Sequence, residues 1–275
     1  MWIANRVLNT IFTLLLYPFQ SLNPWIGMLF ISILTSIMML YLYKYTSNQE
    51  QIKKNKEKIK GHFLEIRLFK DNPRLIFKAE WDAMRTNFVY LRYILIPLAI
   101  MLPLFVLCVI QLWAYYGFNQ FEPGDTTLVK VKLSENAARE NLNIELNVPE
   151  GLTIESPPIH MEKNKEVDWR IRVDQKGIFD LKFTMPDGAT FFKTLKAGDK
   201  VERISPRRPG PGLLDQFLYP HEKPYPASLN IQWVELIYDD TPAYFYVMGY
   251  LWIFPFIILS IIFAFALKGL LRVEI

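Results

Sequence analysis

The fold is decided by residues 44–92, which read KYTSNQEQIKKNKEKIKGHFLEIRLFKDNPRLIFKAEWDAMRTNFVYLR. This polar stretch holds twelve Lys and Arg residues against six Asp and Glu. Apolar runs without a charged side chain flank it at residues 24–43 and 93–113, and a third such run occupies residues 243–267. Because about 20 helical residues at about 1.5 Å each match a hydrocarbon core of about 30 Å, the runs predict three membrane spans.

The distribution of Lys and Arg predicts how these spans are oriented. The twelve basic residues of the central stretch compare with only Arg6 before the first span. Since short loops rich in Lys and Arg stay in the cytosol, we expect the central stretch and the C-terminus there. The N-terminus and residues 117–242 are then outside, and no Asn-x-Ser/Thr sequon occurs in that outer segment. We therefore expect a protein of the bacterial inner membrane.

Composition narrows the class of protein and its partners. With 51% hydrophobic residues and 21% charged residues, the chain is too apolar for a soluble protein and too charged to lie wholly in a membrane. The net charge of +4 comes from a basic stretch beside a membrane face, where it interacts with anionic lipids. We therefore expect membrane lipids as partners and no specific nucleic acid. The single cysteine, Cys108, excludes an intrachain disulfide.

The N-terminal residues 1–22 show the pattern of an amphipathic helix lying in the membrane interface. Their polar side chains gather on one helical face, opposite an apolar face. The polar set is Asn5, Arg6, Asn9, Thr10 and Thr13. A signal peptide is the alternative, but the segment has no basic start and no small-x-small cleavage site. We expect the chain to keep this segment.

The first span carries hydroxyl side chains near its middle. Ser32, Thr35 and Ser36 follow a spacing of three and four, so they share one helical face. The favoured interpretation is that they bond their own helix or pack against a neighbour, and the alternative is that they line a hydrated groove. Further candidates for that groove are Lys44 and Arg92 at the cytosolic edge and Gln111 near the outer end of the second span.

The basic stretch itself predicts a helical hairpin. Ile52, Ile59 and Ile66 are spaced by seven, as in a narrow coiled-coil seam, and Asp71-Asn72-Pro73 then interrupts the helix. The second helix continues into the second span. We expect the two helices to pair and to contact a client protein or the ribosome through exposed lysines. The candidates are Lys53, Lys54, Lys56, Lys58 and Lys60.

Beyond the second span, apolar side chains recur at every second position, as in β-strands. Residues 127–133, 142–148, 167–173 and 179–185 alternate apolar with polar side chains, and turn signals separate them. This predicts an all-β, immunoglobulin-like extracytoplasmic domain that could bind a partner protein. The sequence has no metal cluster, phosphate-binding loop or nucleophile constellation, so we expect neither an enzyme nor a cofactor or metal site.

The fold class is thus an α-helical membrane protein, with three spans and a cytosolic hairpin, into which the β domain is inserted. The predicted order is an interfacial helix (1–22), the first span (23–44), the hairpin (45–91), the second span (92–116), the β domain (117–208), a linker with a membrane-surface segment (209–242), the third span (243–268) and a cytosolic tail (269–275).

This order of elements resembles the YidC/Oxa/Get insertase superfamily. The likeness is to its short branch, which includes the third subunit of the endoplasmic reticulum membrane complex and its prokaryotic relatives. It rests on Asn23-Pro24-Trp25 opening the first span, Tyr43-Lys44 closing it, the Lys-rich residues 49–67, and Arg92-Tyr-Ile-Leu-Ile-Pro entering the second. It covers residues 1–116 and 243–275, about half of the chain.

The resemblance implies a factor that eases membrane-protein insertion through a polar groove and a basic hairpin. Two departures stand against it. YidC-type insertases hold a positive residue in the groove at mid-membrane, where this chain has only hydroxyls, and the β domain is not part of the family core. The alternative is a non-catalytic structural or assembly subunit of a larger envelope complex, which docks a partner through its β domain.

Overall fold

A computed structural model describes residues 2–68, 72–135, 137, 142–238 and 252–274. Its helices are α1 (Trp2–Leu16), α2 (Pro24–Thr46), α3 (Gln49–Leu68), α4 (Pro73–Tyr116), α5 (Leu213–Leu218) and α6 (Ile253–Leu271). Its strands are β1 (Thr126–Leu133), β2 (Glu145–Asn147), β3 (Leu152–Ile154), β4 (Ile159–Met161), β5 (Glu166–Val173), β6 (Gly177–Thr184), β7 (Thr190–Ala197), β8 (Arg207–Pro209) and β9 (Ile231–Leu236). They form two compact units, Met1–Gly27 with Val109–Ile253 and Met28–Cys108 with Phe254–Ile275.

Within the described ranges, three helices are long and apolar enough to cross a membrane, namely α2, α4 and α6. Their sequences agree with the first two predicted spans and with the second half of the third. The first half of that third span falls on residues 239–251, which lie outside the described residues. The chain therefore combines a helical membrane part with a region rich in β-sheet.

The hairpin helices α3 and α4 meet along a narrow seam. Ile52 is fully buried in a cluster with Leu40 and Tyr43 of α2 and with Val273, and Tyr90 of α4 packs against this cluster. Farther along α3, a ring nitrogen of His62 lies 3.5 Å from the Thr86 hydroxyl on α4. The helix break predicted at residues 71–73 falls partly on residues 69–71, outside the described ranges, and α4 then begins at Pro73. Proline is favoured at a first helical position because it lacks an N–H donor.

The larger sheet has the strand order β3-β5-β1-β9-β8, and β4 also pairs with β5. All of its pairings are antiparallel. Along β1 the buried side chains are Thr127, Val129, Val131 and Leu133, which is the alternation expected for a strand covered on one face. Strands β1 and β5 agree with two of the four predicted runs.

The smaller sheet has the order β2-β6-β7 and faces the same hydrophobic core. Phe183 on β6 and Phe191 on β7 stack with their ring centroids 4.8 Å apart, and the Phe183 ring meets Trp169 of β5 edge-on at 5.8 Å. Side chains from both sheets thus fill one core. The predicted run at 142–148 forms only a three-residue strand, because the pairing with β6 covers Glu145–Asn147 and leaves out Leu142–Ile144.

The segment after Arg208 is integral to the larger sheet, which corrects the boundary expected there. β9 pairs with β1 on one side and β8 on the other. The Arg207 guanidinium lies over the rings of Tyr219 and Trp233 and forms two hydrogen bonds to Glu235. Tyr219 and Trp233, which fall in the predicted membrane-surface segment, therefore contact Arg207 within the domain. Helix α5 keeps the exposed apolar character expected of that segment.

Helix α1 packs against this β-rich unit through its polar face. The side-chain amides of Asn5 and Asn9 donate to the backbone carbonyls of Gln216 and Pro220, at 2.9 and 2.8 Å. Both asparagines are buried, whereas Ile3 on the apolar side of α1 is 80% exposed. The amphipathic pattern expected from the sequence is thus present, with its polar side turned to protein.

Candidate functional site in the helical unit

The three hydroxyl residues of α2 lie in a closed seam. Ser32, Thr35 and Ser36 are all buried. The Ser36 hydroxyl lies within hydrogen-bond distance of two backbone carbonyls, that of Ser32 at 2.6 Å and that of Ser260 on α6 at 2.8 Å. The face that carries the hydroxyls therefore contacts α6. This agrees with the favoured interpretation of the sequence, in which the hydroxyls bond their own helix or pack against a neighbour.

Two hydroxyls in this seam are unsatisfied. Within the described residues, the Oγ atoms of Ser32 and Ser260 are enclosed and have no hydrogen-bond partner. Buried polar groups nearly always find partners, because an unmade hydrogen bond costs about 1–3 kcal/mol. These two hydroxyls therefore keep hydrogen-bonding capacity that no described group of the protein uses.

The remaining groove candidates do not join the hydroxyls. The Lys44 ammonium donates to the backbone carbonyl of Leu271 at 2.8 Å, where it caps the last turn of α6. Arg92 is exposed on α4. Gln111 is buried and belongs to the other compact unit. The structure therefore gives Lys44 a structural partner and leaves Arg92 available to solvent or lipid headgroups.

The lysines of α3 remain available for binding. Four of the five candidates are exposed, which are Lys53, Lys54, Lys58 and Lys60. Lys56 is half-buried and lies 3.6 Å from the carboxylate of Glu274. The backbone N–H of Glu274 also donates to the side-chain carbonyl of Gln49 at 2.6 Å. The C-terminal tail is thus fixed against the start of α3.

A second surface of the hairpin was missed by the sequence analysis. We call Phe77, Trp81, Met84 and Phe88 the aromatic face, because their spacing of four, three and four places them on one side of α4. Phe77, Trp81 and Phe88 are 70%, 64% and 68% exposed. The packed side of α4 carries the small side chains of Ala79 and Ala83, which are buried.

Cations flank the aromatic face. Lys78 and Arg85 follow Phe77 and Met84 directly in sequence and are exposed. An exposed apolar stripe rimmed by charged residues is typical of a protein or membrane interaction site. In the described part of the chain, no group of three or more His, Cys, Asp or Glu side chains is placed to hold a metal ion.

The fold and these surfaces define a helical membrane protein with a basic hairpin and a β-rich region. Comparison with protein families, with characterised proteins and with solved structures finds no match to this chain. The resemblance to the insertase superfamily therefore rests on the sequence features that were given for it.

Proposed function

We propose that this protein is an insertase-like biogenesis factor that receives apolar segments of membrane proteins on its hairpin. The observation that carries the proposal is the exposed aromatic face of Phe77, Trp81 and Phe88 on α4. The same helix continues without interruption to Tyr116 through an apolar stretch long enough to cross a membrane. A segment bound on that face is thus held on the helix that enters the bilayer.

The strength of this contact suits transient binding. Burying each large apolar side chain is worth about 1.5–3 kcal/mol, so three aromatic residues supply about 5–9 kcal/mol. Association costs at least about 4 kcal/mol in lost freedom of motion. The surplus is small, which lets a client leave for the bilayer. The neighbouring cations Lys78 and Arg85 and the lysines of α3 add a salt-dependent attraction for acidic client or ribosomal surfaces.

In the proposed arrangement the hairpin and the C-terminus are cytosolic, and the N-terminus and β region are outside a bacterial inner membrane. The charge count supports this orientation, because twelve basic residues lie in the stretch that includes the hairpin. The unsatisfied hydroxyls of Ser32 and Ser260 support the intramembrane step. In the proposed step the seam between α2 and α6 opens, and these hydroxyls then bond a polar client group, whose transfer through hydrocarbon otherwise costs several kcal/mol. No covalent chemistry is involved.

The test is insertion of a model client by the purified protein in proteoliposomes. The variant Phe77→Ser/Trp81→Ser/Phe88→Ser removes the aromatic face, and all three positions are exposed, so we expect folding to be preserved. Insertion should fall several-fold. The matched control is Phe192→Ser, which alters an exposed aromatic residue on β7. If the triple variant inserts the client as well as the original protein, the proposed function is wrong.

A second candidate is a fixed structural or assembly subunit of an envelope complex. The closed seam favours it, because the Ser36 bond to α6 holds the hydroxyl face against a neighbouring helix. In this proposal the β region is an immunoglobulin-like sandwich that docks an extracytoplasmic partner. Exposed Ile154 on β3 and Ile159 on β4 provide an apolar contact at the sheet edge. Replacing both with Ser should then release a partner that co-purifies in mild detergent, whereas client insertion should not change.

A further inference from the structure

A cavity of about 490 Å³ lies within the β-rich unit, between α1 and the segments around Arg203 and His221. Helix α1 contributes Trp2, Arg6 and Leu14 to its wall, and Tyr17, which follows the helix, also lines it. The position of Arg6 lies on the flank of α1, between its packed polar face and its exposed apolar face. The cavity therefore opens at the border between the protein and the apolar side of the helix.

Two arginines give the cavity an unbalanced positive charge. Arg6 and Arg203 come from distant parts of the chain, and neither forms an ion pair within the described residues. No described Asp or Glu lines this cavity. A guanidinium presents its donors in a planar fork that matches the oxygens of a phosphate. Two such groups lining one cavity indicate an anionic ligand.

The floor of the cavity holds an unsatisfied polar side chain. His221 is 6% exposed, and its Nδ1 atom has no partner among the described residues. Burial, together with the charges of Arg203 and Lys193, lowers the pKa of His221 to about 3, so the imidazole is neutral and can donate one hydrogen bond. The buried Oδ1 atom of Asn9 also lacks a partner in the described structure. The site thus retains hydrogen-bonding capacity that the protein itself does not use.

The other side of the cavity is apolar. Leu14 and the rings of Trp2 and Tyr17 form part of its wall, and Ile3, Val7 and Ile11 continue from it along α1. These three residues are 80%, 54% and 47% exposed. Trp and Tyr are enriched where headgroups meet hydrocarbon, because their rings have an apolar body and a polar edge. The ligand indicated by the two sides together is an amphiphile with an anionic head.

We propose that this cavity binds the phosphate headgroup of an anionic phospholipid, with Arg6 and Arg203 on the phosphate oxygens and the acyl chains along the Ile3, Val7 and Ile11 side of α1. The site is separate from the hairpin and does not depend on the proposed insertase function. It would fix the β-rich unit to one leaflet by a specific lipid.

The experiment follows thermal unfolding of the full-length protein in a neutral detergent. Short-chain phosphatidylglycerol, short-chain phosphatidylcholine and inorganic phosphate are added in separate titrations. We expect phosphatidylglycerol to raise the melting temperature saturably, at concentrations at least about ten-fold below those at which either other compound acts. Arg6→Gln/Arg203→Gln should weaken the phosphatidylglycerol effect at least about ten-fold, because charge-assisted hydrogen bonds are lost. The control Lys182→Gln removes an exposed cation from β6 and should change nothing.

Equal effects of the two lipids would overturn the proposal, as would an unchanged response of the double variant. Inorganic phosphate acting as well as phosphatidylglycerol would identify a site for a free anion and not for a lipid. Because the double variant could misfold, photo-crosslinking of the unmodified protein with a diazirine-bearing phosphatidylglycerol provides an independent test. Adducts on the peptides that contain Arg6 and Arg203 support the site, and adducts confined to the spans refute it.

Discussion

The hydroxyl of Ser36 lies 2.8 Å from the backbone carbonyl oxygen of Ser260, so a side chain of α2 bonds to the main chain of α6. One turn earlier, the equally buried hydroxyl of Ser32 has no partner in the described part of the chain. Two serines on one helical face thus differ in their contribution to the contact between α2 and α6. Ser36 joins two helices, whereas Ser32 keeps an unused hydrogen-bonding group within the seam.

This difference predicts opposite phenotypes for the two serines. Ser36→Ala should lower the free energy of unfolding by about 0.6–1.7 kcal/mol, the range for interhelical hydrogen bonds in membranes. Ser32→Ala should raise it by about 1 kcal/mol, because an unsatisfied buried hydroxyl is removed, but should reduce insertion of a client with a polar segment. Reversible unfolding in mixed micelles and an insertion assay measure the two quantities. A larger stability loss at Ser32 than at Ser36 would contradict the described seam.

Charge reversal on α3 should weaken association with a client or ribosome. Lys53, Lys54 and Lys58 are exposed, and Lys56 is left unchanged because it pairs with Glu274. The triple change to Glu should reduce binding most at low salt, since exposed charges are screened within about 8–10 Å at physiological ionic strength. Binding is measured by co-sedimentation across a salt series. Lys163→Glu in the β region is the control, and an equal loss there would rule out a specific role for α3.

The proposed orientation is tested by cysteine labelling in intact and permeabilised cells. Cysteines at Lys54 and Asn164 occupy exposed positions on the hairpin and in the β region, and the native Cys108 is buried. A membrane-impermeant maleimide should reach Asn164→Cys from outside and Lys54→Cys only after permeabilisation. Labelling of both positions from the same side of the membrane would exclude the three-span topology.

Buried His221 should make the protein less stable in mild acid. Its pKa is lowered to about 3 in the folded state, so the unfolded chain binds a proton first as the pH falls below about 6.5. Protonation therefore favours unfolding, and the free energy of unfolding should fall by about 1 kcal/mol between about pH 7 and about pH 5.5. His221→Gln should remove this part of the pH dependence. His160→Gln, at an exposed histidine on β4, should leave it in place.

Replacing only the cation of the Lys193–Glu222 ion pair should strongly lower the free energy of unfolding. Lys193 is fully buried, its ammonium also donates to the Ser205 carbonyl at 2.5 Å, and burial lowers its pKa. Lys193→Met leaves Glu222 without its cation, and we expect a loss of about 3–5 kcal/mol. Adding Glu222→Gln should recover part of that loss. Denaturant unfolding of both variants measures the difference, and an unaltered midpoint for Lys193→Met would show that the pair is not formed.

The spacing of apolar residues along the chain predicted the helices and the main strands, because apolar side chains recur at different intervals in a helix and in a strand. The apolar runs identified α2 and α4, and strict alternation identified β1 and β5. The membrane part and the presence of a β region follow from such patterns. The break before Pro73 was equally visible, because proline cannot continue a helix without loss of a hydrogen bond.

Features that depend on distant pairing could not be predicted in this way. β9 contains the charged residue Glu235, whose side chain accepts two hydrogen bonds from Arg207 of β8. Apolar residues lie on two sides of α4, so periodicity alone does not reveal that the aromatic face stays exposed while Ala79 and Ala83 are buried. Whether Ser32 and Ser36 have partners depends equally on α6, more than two hundred residues away.

The position of β9 in the larger sheet has a consequence during synthesis. Val131 of β1 pairs with Val234 of β9, which the ribosome adds 103 residues later. Because synthesis adds about 5–20 residues per second, one edge of β1 stays unpaired for about 5–20 s before its partner strand is made. An unpaired edge is a template for pairing with other chains. The newly made β region is thus most vulnerable to aggregation just before the last membrane helix is translated, when a chaperone would protect it most.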